Sequence, residues 1–291
     1  MAELNKSMRP EAGIGTDGKA SDQAAGLPVR MRHKGRDRLI RLRRLTLPIL
    51  LLIGWQVLAE SGAFKPVFMP PLQNIGGRMI ELIENGVLIA AIGASLGRLF
   101  AGFALAVIVG VSIGLLVTRL AFAEQVAVRL LSALLATPAV AWTPLFMLWF
   151  GLGNPATIAL IVFVASVPIA LNTWSGIRTV DRIYLRVAES MNVRGLLRFY
   201  KVTLPAAFAP VLSGIRLGFA RAWHGLVGGE LLAGAATGLG ALVTKGLVFL
   251  DTPSMISGVL AIACFAYLTE RLIFERIERL MLQRWGLMQL G

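Results

Sequence analysis

The sequence predicts an all-α, polytopic membrane helix bundle of about six transmembrane helices, and three observations carry that expectation. Hydrophobic side chains make up 56% of the 291 residues and charged ones 15%, against roughly 45–50% and about 25% in soluble domains. Apolar runs of crossing length recur along the chain, whose mean hydropathy is +0.72; about 20 such residues span the hydrocarbon core. The net charge of +13 sits on residues that flank those runs instead of covering one soluble surface, as a nucleic-acid-binding domain requires. An ordinary cytosolic enzyme and a disordered chain are excluded. The single cysteine, Cys264, excludes an internal disulfide framework.

Residues 1–44 read as a basic, disordered cytoplasmic tail. Residues 45–59 (LTLPILLLIGWQVLA) form the first span, and 45–86 as a whole the first span with a periplasmic segment. The long polar tail before that span and the lack of an A-x-A site after it exclude an ordinary secretory signal. The run 87–117 is too long for one straight crossing. Gly93, Gly97 and Arg98 predict that its first third is interfacial or bent, with the span at 99–117. Residues 127–150 follow as a span, then the turn Gly151-Leu-Gly-Asn-Pro155, where Asn154-Pro155 breaks the helix. Spans at 156–173, 206–236 and 255–274 complete the six. Residues 87–274 are thus the core transmembrane domain, and 275–291 a cytoplasmic C-terminus.

Orientation follows from Lys and Arg in the short flanks. With both termini cytoplasmic, 23 of the 29 basic residues fall on the inner side. Outside stand Lys65, Arg78 and Lys245, and within spans Arg98, Arg216 and Arg221. This predicts a multi-pass membrane protein with both termini on the cytoplasmic side.

Several motifs lack the context their chemistry needs. Gly13-Ile-Gly15-Thr-Asp-Gly18-Lys19-Ala20 fits G-x-G-x-x-G and nearly fits a phosphate loop. Both need a preceding strand and a following helix, and Ala20 has no hydroxyl for magnesium. No nucleotide site is expected in this chain. His33 and His224 have no Cys or carboxylate at ligand spacing, so no metal site is expected. No catalytic residue is identified.

The spans carry small-residue pairs at Gly93/Gly97, Gly110/Gly114, Gly214/Gly218 and Gly225/Gly229. Such pairs let helices approach closely where water supplies no drive between them. Arg216, Arg221, Trp223, His224 and Glu230 lie in or beside one apolar span. Intramembrane charges are costly and face protein or a water-filled path. One reading makes Trp142 and these five residues part of a translocation pathway, with Arg221 favouring an anion. The other makes the charges an internal ion pair, Arg221 with Glu230 from another helix or protomer. Pro138, Pro144 and Pro168 predict kinked helices beside a cavity, or simple bends.

Residues 174–205 form the longest inner connection. Leu185, Ala188 and Met191 recur at helical spacing, followed by Leu196, Phe199 and Tyr200. The two helical pieces meet near Asn192, a residue suited to a left-handed cap, and Leu204-Pro205 starts the next span. An amphipathic helix held between two spans is a lever for a soluble motor.

The sequence here resembles the inner-membrane permease subunit of binding-protein-dependent ABC importers, in the nitrate/sulfonate/taurine branch. The resemblance covers about residues 68–250. It rests on Ser95-Leu-Gly-Arg98 with Gly102-Phe103, on Thr137-Pro-Ala-Val-Ala-Trp142-Thr-Pro-Leu145, and on Trp149-Phe-Gly151. It continues through Asn172-Thr173, Leu204-Pro205-Ala-Ala207, Gly214-Ile-Arg216-Leu-Gly218, Ala222-Trp223, Gly229-Glu230-Leu231 and Gly238-Leu-Gly240.

The resemblance implies the type I ABC importer permease fold. It also implies a coupling signature, E-A-A-three-residues-G ending in L-P, in the inner loop. An ungapped register from Leu204-Pro205 puts Arg186 where Glu is usual, Val187-Ala188 at the alanines and Asn192 at the glycine. A second register starts from Glu189 and Gly195 and is three residues short of Pro205. The ungapped register is preferred, because Asn is the usual second choice for a left-handed cap. The resemblance then implies that Ser190–Leu197, with Met191, Asn192, Gly195 and Leu196, docks into a groove on an ATP-hydrolysing partner.

The implied partners are a cytoplasmic ABC ATPase dimer, a periplasmic solute-binding protein, a second permease copy as homo- or heterodimer, and the lipid bilayer, but no nucleic acid. ATP and magnesium would belong to the partner ATPase; this chain needs no cofactor. The implied cargo is a small anion, taurine or an alkanesulfonate first and nitrate next, with cyclic organic ligands such as vitamin precursors as alternatives. Two rivals stand beside this reading. An ion-coupled secondary transporter would need inverted repeats and charges in both halves, and none stand out. A membrane-anchored nucleic-acid binder would use residues 1–44.

Overall fold

The computed structural model describes residues 34–119 and 121–274. The expectations for residues 1–33, which include the Gly13–Ala20 segment and His33, and for 275–291 lie outside the described residues. The chain divides into two compact units, 1–51 and 52–291. The described residues of the first are the leading part of helix α1 (Lys34–Glu60), which starts inside the basic segment expected to be disordered.

The second unit is helical, and no strand occurs among the described residues. After α1 come α2 (Leu72–Glu84), α3 (Val87–Arg119), α4 (Ala121–Ala136), α5 (Ala139–Phe150) and α6 (Asn154–Arg178). The connecting segment holds α7 (Arg182–Ser190), α8 (Gly195–Arg198), a π-turn at Phe199–Thr203 and α9 (Leu204–Ala206). Then follow α10 (Phe208–Leu232), α11 (Leu239–Val248), α12 (Thr252–Thr269) and a closing π-turn at Glu270–Phe274.

Three helices are long and apolar enough to cross a membrane: α3, α6, and α12 with its continuation to Leu272. Two bent pairs raise the count to five: Glu124–Ala136 with α5, at 102°, and Gly195–Ala206 with α10, at 63°. The first expected span, 45–59, corresponds to the apolar part of α1, Thr46–Glu60, which is shorter than a full crossing.

Two boundaries are corrected. Residues 87–119 form one continuous helix, so no separate interfacial segment precedes residue 99. Gly93 and Gly97 cost helix propensity but face open space, and Arg98 is satisfied without breaking the helix. Residues 127–150 are not one straight crossing. Pro138 adopts an extended conformation (φ −59°, ψ 132°) as N-cap of α5, and residues before a proline are biased away from the helical region. Pro144 and Pro168, by contrast, lie inside continuous helices.

Helix α6 is the centre of the unit: 67% of its apolar window is buried, against 28% for α3 and 22% for α12. It packs against α3 on one side and α10 on the other. Leu99 and Ala106 of α3, Ile161, Ala165 and Ile169 of α6, and Phe219, Ala222 and Leu226 of α10 form the buried core. Phe103 meets the Phe219 ring edge-on at 5.0 Å.

Glycine makes this approach possible. A Cβ on Gly110 would stand 2.7 Å from Ile169 Cβ, and one on Gly114 2.6 Å from Thr173 Cβ. Gly214, Gly218, Gly225 and Gly229 press equally closely on Asn172, Ile169, Val164 and Thr157. Three of the four small-residue pairs are therefore helix contacts. A Cβ on Gly93 or Gly97 would meet nothing within 4 Å among the described residues.

Candidate functional site

Two regions carry the residues that sequence pattern singles out. The first is the α7–α9 segment. Asp181 caps α7, its carboxylate accepting from the Ile183 N–H at 2.8 Å. The helix ends at Ser190 with Met191 as C-cap, and Asn192 just beyond stands at φ 56°. The Val193 N–H donates to Ala188 O at 2.8 Å and the Asn192 N–H to Glu189 O at 2.9 Å. This pairing is a Schellman cap, which places a left-handed residue just past the helix. Gly195, the glycine of the second register, is also left-handed, at φ 58°. Arg198 Nη1 donates to Glu189 Oε1 at 2.6 Å and ties α8 back to α7.

Apolar side chains remain uncovered on this segment: Met191 is 72% exposed and Leu196 66%. An open cleft of about 560 Å³ is lined by Val187, Ala188, Met191, Val202 and Pro205. Arg186 and Ser190 are exposed on α7, the Ser190 hydroxyl donating back to the Arg186 and Val187 carbonyls, and Leu204 is half-buried. A contiguous apolar patch of this kind marks an interaction surface.

The second region is the face of α10. Arg221, Trp223 and His224 line an open cleft of about 700 Å³ with Pro138, Val140 and Gly228. Arg221 makes no ion pair among the described residues. The His224 Nδ1 lies 2.8 Å from the Ala220 carbonyl of its own helix. A carbonyl only accepts, so Nδ1 carries the proton and Nε2 is left for other partners. Trp223 is mostly buried and donates to Thr269 Oγ1 at 3.2 Å, joining α10 to α12.

The other three expected pathway residues are elsewhere. Arg216 pairs with Glu270 at 2.9 Å. Trp142 packs edge-on against Phe163 at 5.0 Å, and its indole N–H is buried with no hydrogen-bond partner.

Glu230 is 2% exposed and lies away from the α10 cleft lining. Its partner is Arg98 of α3, not Arg221: Arg98 Nη1 donates to Glu230 Oε1 at 2.5 Å. The Ser95 hydroxyl also donates to this carboxylate, at 2.7 and 2.8 Å to its two oxygens. The Gly240 N–H reaches Oε2 at 2.8 Å. Arg98 also donates from Nε to Asn154 Oδ1 at 2.7 Å and from Nη2 to the Thr237 carbonyl at 2.6 Å. Ser95 Oγ in turn accepts from the Leu239 N–H at 2.8 Å.

Both charges are thus paired and hydrogen-bonded, as buried charges must be. Four elements meet at the pair: α3, the start of α6, the end of α10 and the start of α11. Arg98, Ser95 and Asn154 were not proposed as site residues from the sequence. The available signal was a lone arginine in a long apolar run.

Outside the spans, Arg78 of α2 donates to Asp251 Oδ2 at 3.0 Å and to Glu81 Oε2 at 2.7 Å. Asp251 caps α12, accepting from the Ser254 N–H and hydroxyl. Partial burial pushes the Asp251 carboxyl up, but the Ser254 hydrogen bonds and the Arg78 charge together hold it below the usual carboxylate range. Arg78 is raised above its ordinary value, chiefly by the Glu81 hydrogen bond. Among the described residues, no group of three His, Cys, Asp or Glu could hold a metal.

The described residues thus form a helical unit with three to five candidate spans, a sharply bent helix pair, a cleft carrying Arg221, and an uncovered apolar patch on the α7–α9 segment. Residues 106–285 match the family model for the binding-protein-dependent transport system inner membrane component. The chain belongs to that family.

It is 34% identical over 254 residues to a Bacillus subtilis (strain 168) protein named as the aliphatic sulfonates transport permease SsuC, covering 86% of this chain and 90% of that one. It is 29% identical to the taurine transport system permease protein TauC of Escherichia coli (strain K12), over 77% and 83% of the two chains. It is 33% identical to the riboflavin transport system permease protein RibX of Chloroflexus aurantiacus, over 81% and 87%. Among solved structures, an inward-facing form of the MetNI methionine ABC transporter matches with TM-score 0.56 at 18% identity, covering 66% of this chain and 95% of that one. An amino acid ABC transporter solved with histidines matches with TM-score 0.56 at 18% identity, over 71% and 98%. These likenesses show the type I importer permease fold.

Proposed function

We propose that this chain is the permease subunit of an ATP-driven importer that moves a small anionic solute, an aliphatic sulfonate such as taurine first and nitrate next, across a bacterial inner membrane. The observation that supports an anion is Arg221, a cation with no ion-pair partner among the described residues on an open cleft of a spanning helix. Two sulfonate-transport relatives point the same way.

In this reading both termini are cytoplasmic. The α7–α9 segment faces the cytoplasm and inserts Met191, Asn192 and Leu196 into a groove on an ATPase dimer, which supplies ATP and magnesium. This chain carries no catalysis. A second permease copy closes the α10 cleft into a path, and a periplasmic binding protein delivers the solute. Any charge left bare near midplane is costly, so an unpaired arginine there is retained by what it binds.

The test is growth and uptake in the source strain lacking this chain. Complemented cells are expected to regain growth on taurine as sole sulfur source and ATP-dependent taurine uptake. Uptake that survives ATP depletion but collapses with the ion gradient would replace the importer with a secondary transporter. The RibX relative favours a second cargo class, a flavin-like or vitamin-precursor ligand. Restored riboflavin uptake with no response to taurine would select it.

A further inference from the structure

A second cleft, of about 370 Å³, opens where the ends of α3 and α6 meet the α7–α8 segment. Four arginines line it: Arg119, Arg178, Arg182 and Arg198. Two are neutralised. Arg178 pairs with Glu124, which also accepts from the Trp174 indole N–H, and Arg198 pairs with Glu189. Arg119 and Arg182 make no ion pair among the described residues, and the nearby Asp181 carboxylate is committed to capping α7. Two of the four lining guanidinium groups are thus left without an ion-pair partner among the described residues, and with the Asp181 charge counted the cleft still keeps a net positive charge.

Its depth is set by the helices that form it. Arg119 is the last residue of α3 and Arg178 the last of α6, and both helices are long enough to cross a membrane. If each helix spans the hydrocarbon core, an arginine at its last residue stands near the lipid headgroups. The wall is apolar on one side: Leu115, one helical turn before Arg119, and Phe199 line the same cleft. Arginine guanidinium groups bind phosphate in a bidentate fork, and an apolar wall beside them suits the glycerol and first methylenes of an acyl chain. A free oxyanion has no use for that wall.

We propose that this cleft binds the phosphate of an anionic lipid headgroup, with Arg119 and Arg182 as its free ligands. The site stands apart from the α10 cleft and does not depend on which solute is carried.

The test uses the purified full chain in neutral detergent, read by native mass spectrometry and thermal shift. The probes are short-chain phosphatidylglycerol, phosphatidylcholine and inorganic phosphate. Phosphatidylglycerol is expected to bind more tightly than either of the others. Arg119→Gln/Arg182→Gln should weaken it about thirty-fold, from the usual contribution of a basic residue near an anionic headgroup. Arg129→Gln, which removes a charge outside the cleft, should not. Equal phosphatidylglycerol binding by wild type and double variant overturns the proposal. Inorganic phosphate binding as tightly as the lipid overturns the lipid assignment in favour of a free oxyanion. Should the double variant fail to fold, Arg182→Gln alone, at an exposed position, should cost about five-fold. No change there overturns the proposal equally.

Discussion

Arg98 and Glu230 are 132 residues apart in the chain and 2.5 Å apart in space, with 6% and 1% of their side chains exposed. Removing one member leaves the other charged and without its partner in a place water does not reach. Such single losses typically cost about 3–5 kcal/mol, whereas replacing both charges with apolar groups is often close to neutral. Arg98→Met or Glu230→Met is therefore expected to lower folded yield and Tm sharply. The double variant Arg98→Met/Glu230→Met should recover part of the loss. It will not recover all of it, because Asn154, the Thr237 carbonyl and the Gly240 N–H also lose partners. Thermal unfolding in detergent measures the cycle, and additive losses would show that the two residues do not act as a pair.

The glycines offer a sharper contrast, because the same substitution should have opposite signs at two positions of one helix. At Gly97 a Cβ meets nothing within 4 Å, so Gly97→Ala should stabilise α3 by about 0.5–1 kcal/mol. At Gly110 a Cβ would stand 2.7 Å from both Ile169 Cβ and the Ser166 carbonyl oxygen. Since backbone cannot yield as a side-chain tip can, Gly110→Ala should push α3 off α6 and cost about 1–3 kcal/mol. Tm values that move in the same direction for both would contradict the assigned packing.

These two cases also mark what the sequence could reveal. Apolar runs near crossing length placed α6, α10 and α12 to within a few residues, because length and hydropathy are local. Asn192 was legible as a left-handed cap for the same reason. The Arg98–Glu230 pairing was not, since both residues read only as charges in apolar helices and nothing local specifies a partner 132 positions away. Pro138 signalled a break, but a missing N–H does not fix a 102° turn; α5 also packs Phe146 against Phe163 of α6, a tertiary contact that nothing local specifies. Gly93/Gly97 shows the converse failure, a packing pattern beside which a Cβ would meet no neighbour among the described residues.

The link between α2 and α12 should be sensitive to acid. The Asp251 carboxyl lies below its ordinary value in the folded chain, so its contribution is fully present above the unfolded value of about 3.9. It is lost as pH falls through the depressed folded value, because the unfolded chain then binds the proton more readily. Arg78 is raised and stays charged throughout this range. Both side chains are about one-third exposed, so the pair is worth at most about 1 kcal/mol. Wild type should exceed Asp251→Asn in Tm at pH 7, with the two curves converging below about pH 4. Parallel curves would show that the carboxylate charge contributes nothing.

Asn192 allows backbone shape to be separated from contact on the α7–α9 segment. At φ 56° a residue with an ordinary Cβ pays about 1–2 kcal/mol, and glycine pays none. Asn192→Gly should keep the Schellman cap, and Asn192→Val should fray the end of α7 and expose Ala188. Neither variant changes the exposed Met191 side chain. Met191→Asp does the reverse: it leaves the cap intact and places a charge on the apolar patch. If this patch is the ATPase-docking surface, Met191→Asp should reduce uptake at least tenfold while the folded yield of the chain is unchanged. Asn192→Gly should transport normally and Asn192→Val should fall between them. Normal uptake with Met191→Asp would remove the patch from the coupling path, whatever the behaviour of the Asn192 variants.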